Sequence, residues 1–227
     1  MTVKDIFELR KQGRIEEAYE NIRPMYAVHK GKYTTLCMFW TASDILKKRT
    51  AEGRFDEAEK IFKALLRILP NIDDKEGRAH SSIYYKAVTL ARKSKSFSML
   101  HFVAGLKVEQ LRNEDWKTIH PPMISDTPTL PIPSIAQQML AYAFHEILGN
   151  KTGGDAAQVD NALMVMPLLQ EAVRRHPHDK YNLRYMAVIY RIMGENNKAF
   201  CIYRKLLAHY HDSYLYVELA ELIDDLE

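Results

Sequence analysis

The chain has 227 residues, of which 47% are apolar and 27% charged, a balance that permits a sizeable buried core and argues against disorder. Its net charge of +3 lacks the basic excess of a strong nonspecific nucleic-acid binder, so any functional charge must be local. Nowhere does the sequence offer the ~18 consecutive apolar residues of a membrane span, and Cys37 and Cys201, far apart and without Cys-x-x-Cys spacing, suit small core fillers in a reducing, cytoplasmic setting.

Residues 3–12 predict a first helix, with Ile6 and Leu9 inward and Thr2 and Asp5 spaced as a capping box. The run Gly13-Arg14-Ile15-Glu16-Glu17-Ala18 opens the next, in which Pro24 removes a backbone hydrogen bond and predicts a kink or break. Residues 36–52 predict a helix with Ala42, Ile45 and Leu46 as its core face. Gly53-Arg54-Phe55-Asp56-Glu57-Ala58 then repeats the grammar of residues 13–18, which establishes an internal repeat. The helix it opens lays Phe55, Ala58, Ile61, Phe62, Leu65, Leu66 and Leu69 on one face before Pro70 stops it.

Residues 78–94 and 97–112 predict a third, degenerate pair. Tyr84, Ala87, Val88 and Ala91 keep the inward spacing, but Ser94-Lys95-Ser96 replaces the turn glycine. From Asn113 to Pro133 the prolines at 121, 122, 128, 131 and 133 exclude helix. The apolar residues Trp116, Ile119, Met123, Ile124, Leu130 and Ile132 predict a strap held against the helices; a hinge between two lobes is the alternative. Helix resumes at Ser134, capped with Gln137, and runs through Leu140, Ala143, Phe144 and Ile147 to Gly149. An enlarged turn over residues 150–155, with Asp155 as N-cap, leads to a partner helix over 156–176 that bends at Pro167 and closes at Pro177.

In the last unit, helices over 179–193 and 196–210 flank Gly194, with Leu183, Met186, Ala187 and Tyr190 inward. Ala199, Tyr203 and Leu206 take the places of Ala58, Phe62 and Leu65. A closing helix over 213–226 sets Leu215, Leu219 and Leu222 against Glu218, Glu221, Asp224 and Asp225, the pattern of a helix that seals a stack.

The order Gly, Ala, Phe or Tyr, Pro at this spacing resembles the tetratricopeptide-repeat family, in a bacterial-type form with divergent middle repeats, most closely over residues 3–70 and 167–211. The resemblance implies an all-α fold: a right-handed α-α superhelix, or solenoid, of about five helix pairs plus a C-terminal capping helix. It divides the chain into N-terminal repeats (1–112), a proline-rich strap or linker (113–133) and C-terminal repeats with the cap (134–227).

In that family the first helix of each pair lines a concave groove. The groove positions fall on Arg10 in the first unit and on Trp40, Ser43, Lys47 and Thr50 in the second. They fall on Ser82, Tyr85, Thr89 and Arg92 in the third and on Tyr181, Arg184, Val188 and Arg191 in the last. Five cations on one inferred surface, with aromatic neighbours, suit carboxylates or phosphates. The implied function is a noncatalytic scaffold that binds a peptide or protein surface, with an acidic peptide or a C-terminal carboxylate as ligand. The family's lysine and asparagine clamp for chaperone tails is not reproduced at Ser43, Lys47, Arg184 and Val188. Of the aromatics, Trp40, Trp116, Tyr181 and Tyr185 are the candidates for ligand contact.

Rival readings use the same residues. The arginines could grip the phosphates of a nucleic acid, which predicts binding that collapses with salt. Self-association through the end helices, with residues 113–133 filling the groove, predicts a concentration-dependent mass instead. His176 and His178, and His209 and His211, sit at helix ends without further ligands at metal-binding spacing. The Gly149 to Gly154 run lacks a phosphate-loop ending. The acidic pairs Glu16/Glu17 and Asp56/Glu57 open second helices, where carboxylates suit the helix dipole. No catalytic constellation, cofactor or metal is implied.

Overall fold

The computed structural model describes residues 1–120, 130–149 and 154–224, and every regular element among them is a helix. The α-helices are Val3–Lys11 (α1), Ile15–Val28 (α2), Lys32–Ala51 (α3), Phe55–Ile68 (α4), Arg78–Lys93 (α5) and Met99–Ala104 (α6). They continue with Ile135–Gly149 (α7), Gly154–Arg175 (α8), Lys180–Ile192 (α9), Asn196–Leu207 (α10) and Ser213–Asp224 (α11). The chain divides into two compact units, Met1–Phe97 and Ser98–Glu227.

The repeat seen in the sequence is a repeat of backbone conformation. Gly13, Gly53 and Gly194 have φ of +77°, +75° and +73°, a left-handed setting that glycine adopts without steric cost. After each, the next residue donates its N–H back into the preceding helix: Arg14 to the Leu9 carbonyl, Arg54 to Arg49, Glu195 to Tyr190, at 2.8–2.9 Å. Its own carbonyl then accepts the N–H of Ala18, Ala58 or Ala199, which starts the second helix. All three alanines are 0% exposed, because a methyl group is what lets the paired helices approach. Phe62 and Tyr203 occupy the next buried layer at equivalent positions, with Leu65 and Leu206 beyond them.

In the first unit each helix packs on the next from α1 to α5, and α3 also touches α1 and α5. Flanked by four neighbours, α3 buries residues around most of its circumference, Ser43 and Thr50 included. Thr50 satisfies its hydroxyl on the Leu46 carbonyl (2.8 Å). Arg49 of α3 is a tie between neighbouring helices. Its guanidinium donates to both oxygens of Glu16 on α2 (2.5 and 2.9 Å) and to Glu57 on α4 (3.2 Å). Pro24 does not break α2, since it and Glu20, whose carbonyl it leaves unbonded, face solvent.

In the second unit α6, α7 and α8 pack on one another, followed by α8 on α9, α9 on α10 and α10 on α11. The helix expected over 97–112 is reduced to the six residues of α6, which ends at Gly105; a single 3-10 turn follows at Val108–Gln110. Met99, Leu100 and Val103 are buried, and Glu146 of α7 caps the N-terminus of α6 through the Met99 N–H (2.6 Å) and the Ser98 hydroxyl (2.7 Å). The capping boxes at Thr2/Asp5 and Ser134/Gln137 form as the sequence predicts.

The expected strap is corrected in its details. Trp116 is buried beneath the Arg175 guanidinium (5.0 Å), which removes it from the ligand-facing aromatics. Ile119 and Ile132 pair as an isolated antiparallel bridge with their side chains largely outward, and Leu130 is 86% exposed. Met123, Ile124 and the prolines at 121, 122 and 128 lie outside the described residues, as do the turn at 150–153 and the side chain of Asp155. Cys37 is a core filler, whereas Cys201 is exposed on α10.

Candidate functional site

The N-terminal end of α9 is fixed by a chain of polar bonds. Asp179 caps the helix through the Asn182 N–H (2.8 Å), while its second oxygen accepts from the Gln137 side chain of α7 (3.0 Å). Gln137 in turn accepts from the Ser134 N–H (3.0 Å) and the Thr118 hydroxyl (3.4 Å), which fastens the segment before α7 to the same point. Beside this network opens a pocket of about 410 Å³ with a mainly apolar wall. Pro131 and Pro133 form one side, Gln138 and Ala141 of α7 another, and Tyr181, Asn182 and Tyr185 of α9 the third.

Three features of the pocket carry its chemistry. The Tyr185 ring stacks on Phe144 (4.2 Å between centroids), and burial raises its phenol pKa, so it is a neutral apolar wall. Tyr181 is 56% exposed and rigidly based on α9, with the Lys180 ammonium 5.1 Å from its ring. Asn182 is 1% exposed, and its side-chain Nδ2 finds no hydrogen-bond partner among the described residues. A buried amide donor without an acceptor costs about 1–3 kcal/mol.

The other flank of α9 is an ion-pair ladder. Lys180 pairs with Asp212 (3.0 Å), Arg184 with both oxygens of Glu218 (3.0 and 3.2 Å from Nε) and Arg191 with Glu221 (2.8 Å). The Arg184 guanidinium also lies 4.8 Å from the Tyr214 ring. The hydrogen bond to Glu218 raises the pKa of Arg184, and the bond to Asp212 raises that of Lys180, so both cations are held in their charged forms.

Of the residues singled out in the sequence, Tyr181, Arg184 and Arg191 therefore share one helix. Arg10, Trp40, Lys47, Tyr85 and Arg92 belong to the first unit, on α1, α3 and α5. Arg10 bridges to Asp44 of α3 (2.8 Å). Trp40 is half-buried, edge-on to Phe39 (5.1 Å), while Lys47, Tyr85 and Arg92 are exposed. Ser43 (2% exposed), Thr50 (4%) and Val188 (8%) are core residues and cannot face a ligand, since neighbouring helices cover them. Thr89 turns its hydroxyl back to the Tyr85 carbonyl (2.9 Å).

A second cleft, of about 620 Å³, holds Glu109, Glu171, Arg174 and Arg175, but both arginines are bound to Glu171 at 2.6 Å and hold its carboxyl at about 2. On α5, burial pushes the Lys86 ammonium pKa down against the opposing pull of Asp44. Among the described residues, no group of three or more His, Cys, Asp or Glu side chains could hold a metal ion. Among the same residues, no helix is long and apolar enough to cross a membrane.

Sequence reasoning missed Asn182, and a signal for it existed. With Met186 and Ile189 it forms one buried stripe at helical spacing, so a polar residue in that stripe marks an unsolved hydrogen-bonding demand. The carboxylates of α11 were seen as an acidic face but not as partners of α9. No protein-family model, curated protein or solved structure matches the chain.

Proposed function

We propose that the chain is a noncatalytic protein-interaction scaffold: a tetratricopeptide-like stack of helix pairs that holds a polypeptide segment of its partner at α9. The observation that carries this reading is the pocket beside Asn182. It pairs a mainly apolar, tyrosine-walled cavity with a buried side-chain amide nitrogen that finds no acceptor among the described residues. An apolar side chain followed by a main-chain carbonyl answers both demands, and extended peptides offer that combination repeatedly. The pocket already has an extended proline-containing segment as one wall, through Pro131 and Pro133 of its own chain. Tyr181 and Tyr185 supply contact area from a rigid helix, at low cost in ordering entropy.

The nucleic-acid reading is less well supported, because the arginines it needs at 10, 184 and 191 are engaged with carboxylates. Free thiols at Cys37 and Cys201 suit a cytoplasmic setting for the scaffold.

The test is selection of a random peptide display library on the wild-type protein, followed by affinity measurement on Tyr181→Ala and Asn182→Leu. Selected peptides should share an apolar residue and lose about ten-fold or more in affinity on either variant, with helical content unchanged. A library that yields no binders, or binders indifferent to both substitutions, refutes the pocket as the capture site.

A further inference from the structure

The helix that closes the chain packs on α10 and meets α9 through a row of ion pairs. Only Leu215 and Leu222 of α11 are fully buried, while Tyr216 (49%), Val217 (56%) and Ile223 (40%) face solvent. Its link to α9 is the ladder of Arg184 to Glu218 and Arg191 to Glu221, extended by Lys180 to Asp212 in the preceding turn. The Tyr214 ring beneath Arg184 completes the footprint. These groups fall in one register: Tyr214-Leu215, then Glu218, then Glu221-Leu222.

We propose that this flank of α9 is a receptor surface for an acidic amphipathic helix, that α11 is its resident occupant, and that a partner helix with the same register displaces it. The proposal rests on the reading of the chain as an interaction scaffold and adds the chemistry of a second partner surface. The occupant is argued from complementarity, since Arg184 and Arg191 meet Glu218 and Glu221 on one face of α11 and Lys180 meets Asp212 just before it.

Exchange is physically accessible. The Arg191–Glu221 pair is the open one, at 28% and 54% accessible, against 23% and 17% for Arg184–Glu218, so water and an incoming carboxylate reach the ladder first at Glu221. At twelve residues, α11 is at the lower limit of independent helix stability, so once released it frays rather than holding a rigid shape that must be pushed aside. The tether gives α11 an effective concentration on the order of millimolar, which a free helix of the same sequence must overcome. A displacing partner therefore needs either better matching along the register or a second anchor elsewhere.

The experiment uses the full chain and, as probe, a fluorescent, end-capped peptide of residues 213–224, read by anisotropy alongside backbone amide exchange of α11. In the variant Glu218→Arg/Glu221→Arg, α11 amides should exchange about ten-fold faster than in wild type while α9 and α10 stay protected, and the probe should bind about ten-fold more tightly than to wild type. Affinity should fall with added salt.

The four-fold variant Arg184→Glu/Arg191→Glu/Glu218→Arg/Glu221→Arg restores the pairs with reversed polarity. It should re-protect α11 and reject the acidic probe, which also shows that the loss in the first variant is not misfolding. Continued protection of α11 in the first variant, or failure of the probe to bind once α11 is released, overturns the proposal. Neither result touches Tyr181 or Asn182, so the pocket reading stands or falls on its own measurement.

Discussion

At the residue scale, Gly53 and Asn182 represent two kinds of local cost with opposite remedies. At Gly53 a methyl group would meet nothing within 4 Å, so the cost of Gly53→Ala is conformational alone. Holding alanine at φ +75° should destabilise the protein by about 1 kcal/mol, partly offset by the stiffer unfolded chain. Gly53→Asn should cost less, because asparagine tolerates the left-handed region. Gly13 and Gly194 share both the φ and the open surroundings, so urea titrations of the three alanine variants should give similar losses. Asn182 behaves in the opposite sense. Its amide, which finds no acceptor among the described residues, makes the free protein less stable than its packing allows, so Asn182→Leu should raise stability by about 1 kcal/mol in the same titration while weakening the proposed peptide capture about ten-fold or more. A stability loss in that variant would mean that the amide has an acceptor in solution and offers none to a ligand.

At the scale of elements, the distinction is between order within a helix pair and ties between pairs. The Gly-to-Ala interval, the buried Phe62 and Tyr203, and the caps at Thr2 and Ser134 are local patterns, and the sequence displays each of them directly. Ties depend on which helices become neighbours, which no local pattern encodes. Nothing in the sequence around Arg49 marks it as a tie, yet it joins α2, α3 and α4 through Glu16 and Glu57. Glu218 and Glu221 read as solvent-facing acids until α9 is placed beside them. Residues 97–112 predict one helix of a degenerate pair, but the helix ends at Gly105 after six residues.

The Arg49 tie makes a pH prediction. Hydrogen bonds from Arg49, with Lys48 assisting, hold the Glu16 carboxyl at about 2 in the folded chain against an ordinary 4.5. A depressed acid contributes stability above its unfolded pKa and loses it as protons bind. The Glu16 contribution should therefore be complete above pH 4.5 and vanish as pH falls towards 2. Since the Glu16 side chain is 40% exposed, the discounted contribution is about 1 kcal/mol. Thermal melts of Glu16→Gln should lie below wild type at pH 7 and merge with it by pH 2; a constant offset at all pH values would show that the pair contributes by packing rather than by charge.

For the whole molecule, the informative question is where the chain can be cut. The first unit holds its own core, in which Ile6, Ile22, Phe39, Ile45, Leu65 and Ile83 are all at most 1% exposed. A fragment of residues 1–97 should therefore fold alone and unfold cooperatively in denaturant. Extending it to residue 112, the limit suggested by the repeat pattern, adds α6 without α7 and α8, on which Met99, Leu100 and Val103 pack. That fragment should fold no more stably and should associate through the exposed apolar turn.

The complementary pair is sharper. Residues 98–227 keep α6 in place, whereas 113–227 loses three buried apolar side chains and leaves Glu146 without the N–H groups it caps. At roughly 1.5–3 kcal/mol for each apolar side chain, the shorter fragment loses about 5 kcal/mol or more, comparable with the whole stability of a domain. Circular dichroism should show a cooperative helical transition for 98–227 and a poorly cooperative, dye-binding species for 113–227. Equal stability of the two would show that α6 contributes nothing to the second core and that the helix pairs of α7 to α11 are self-sufficient.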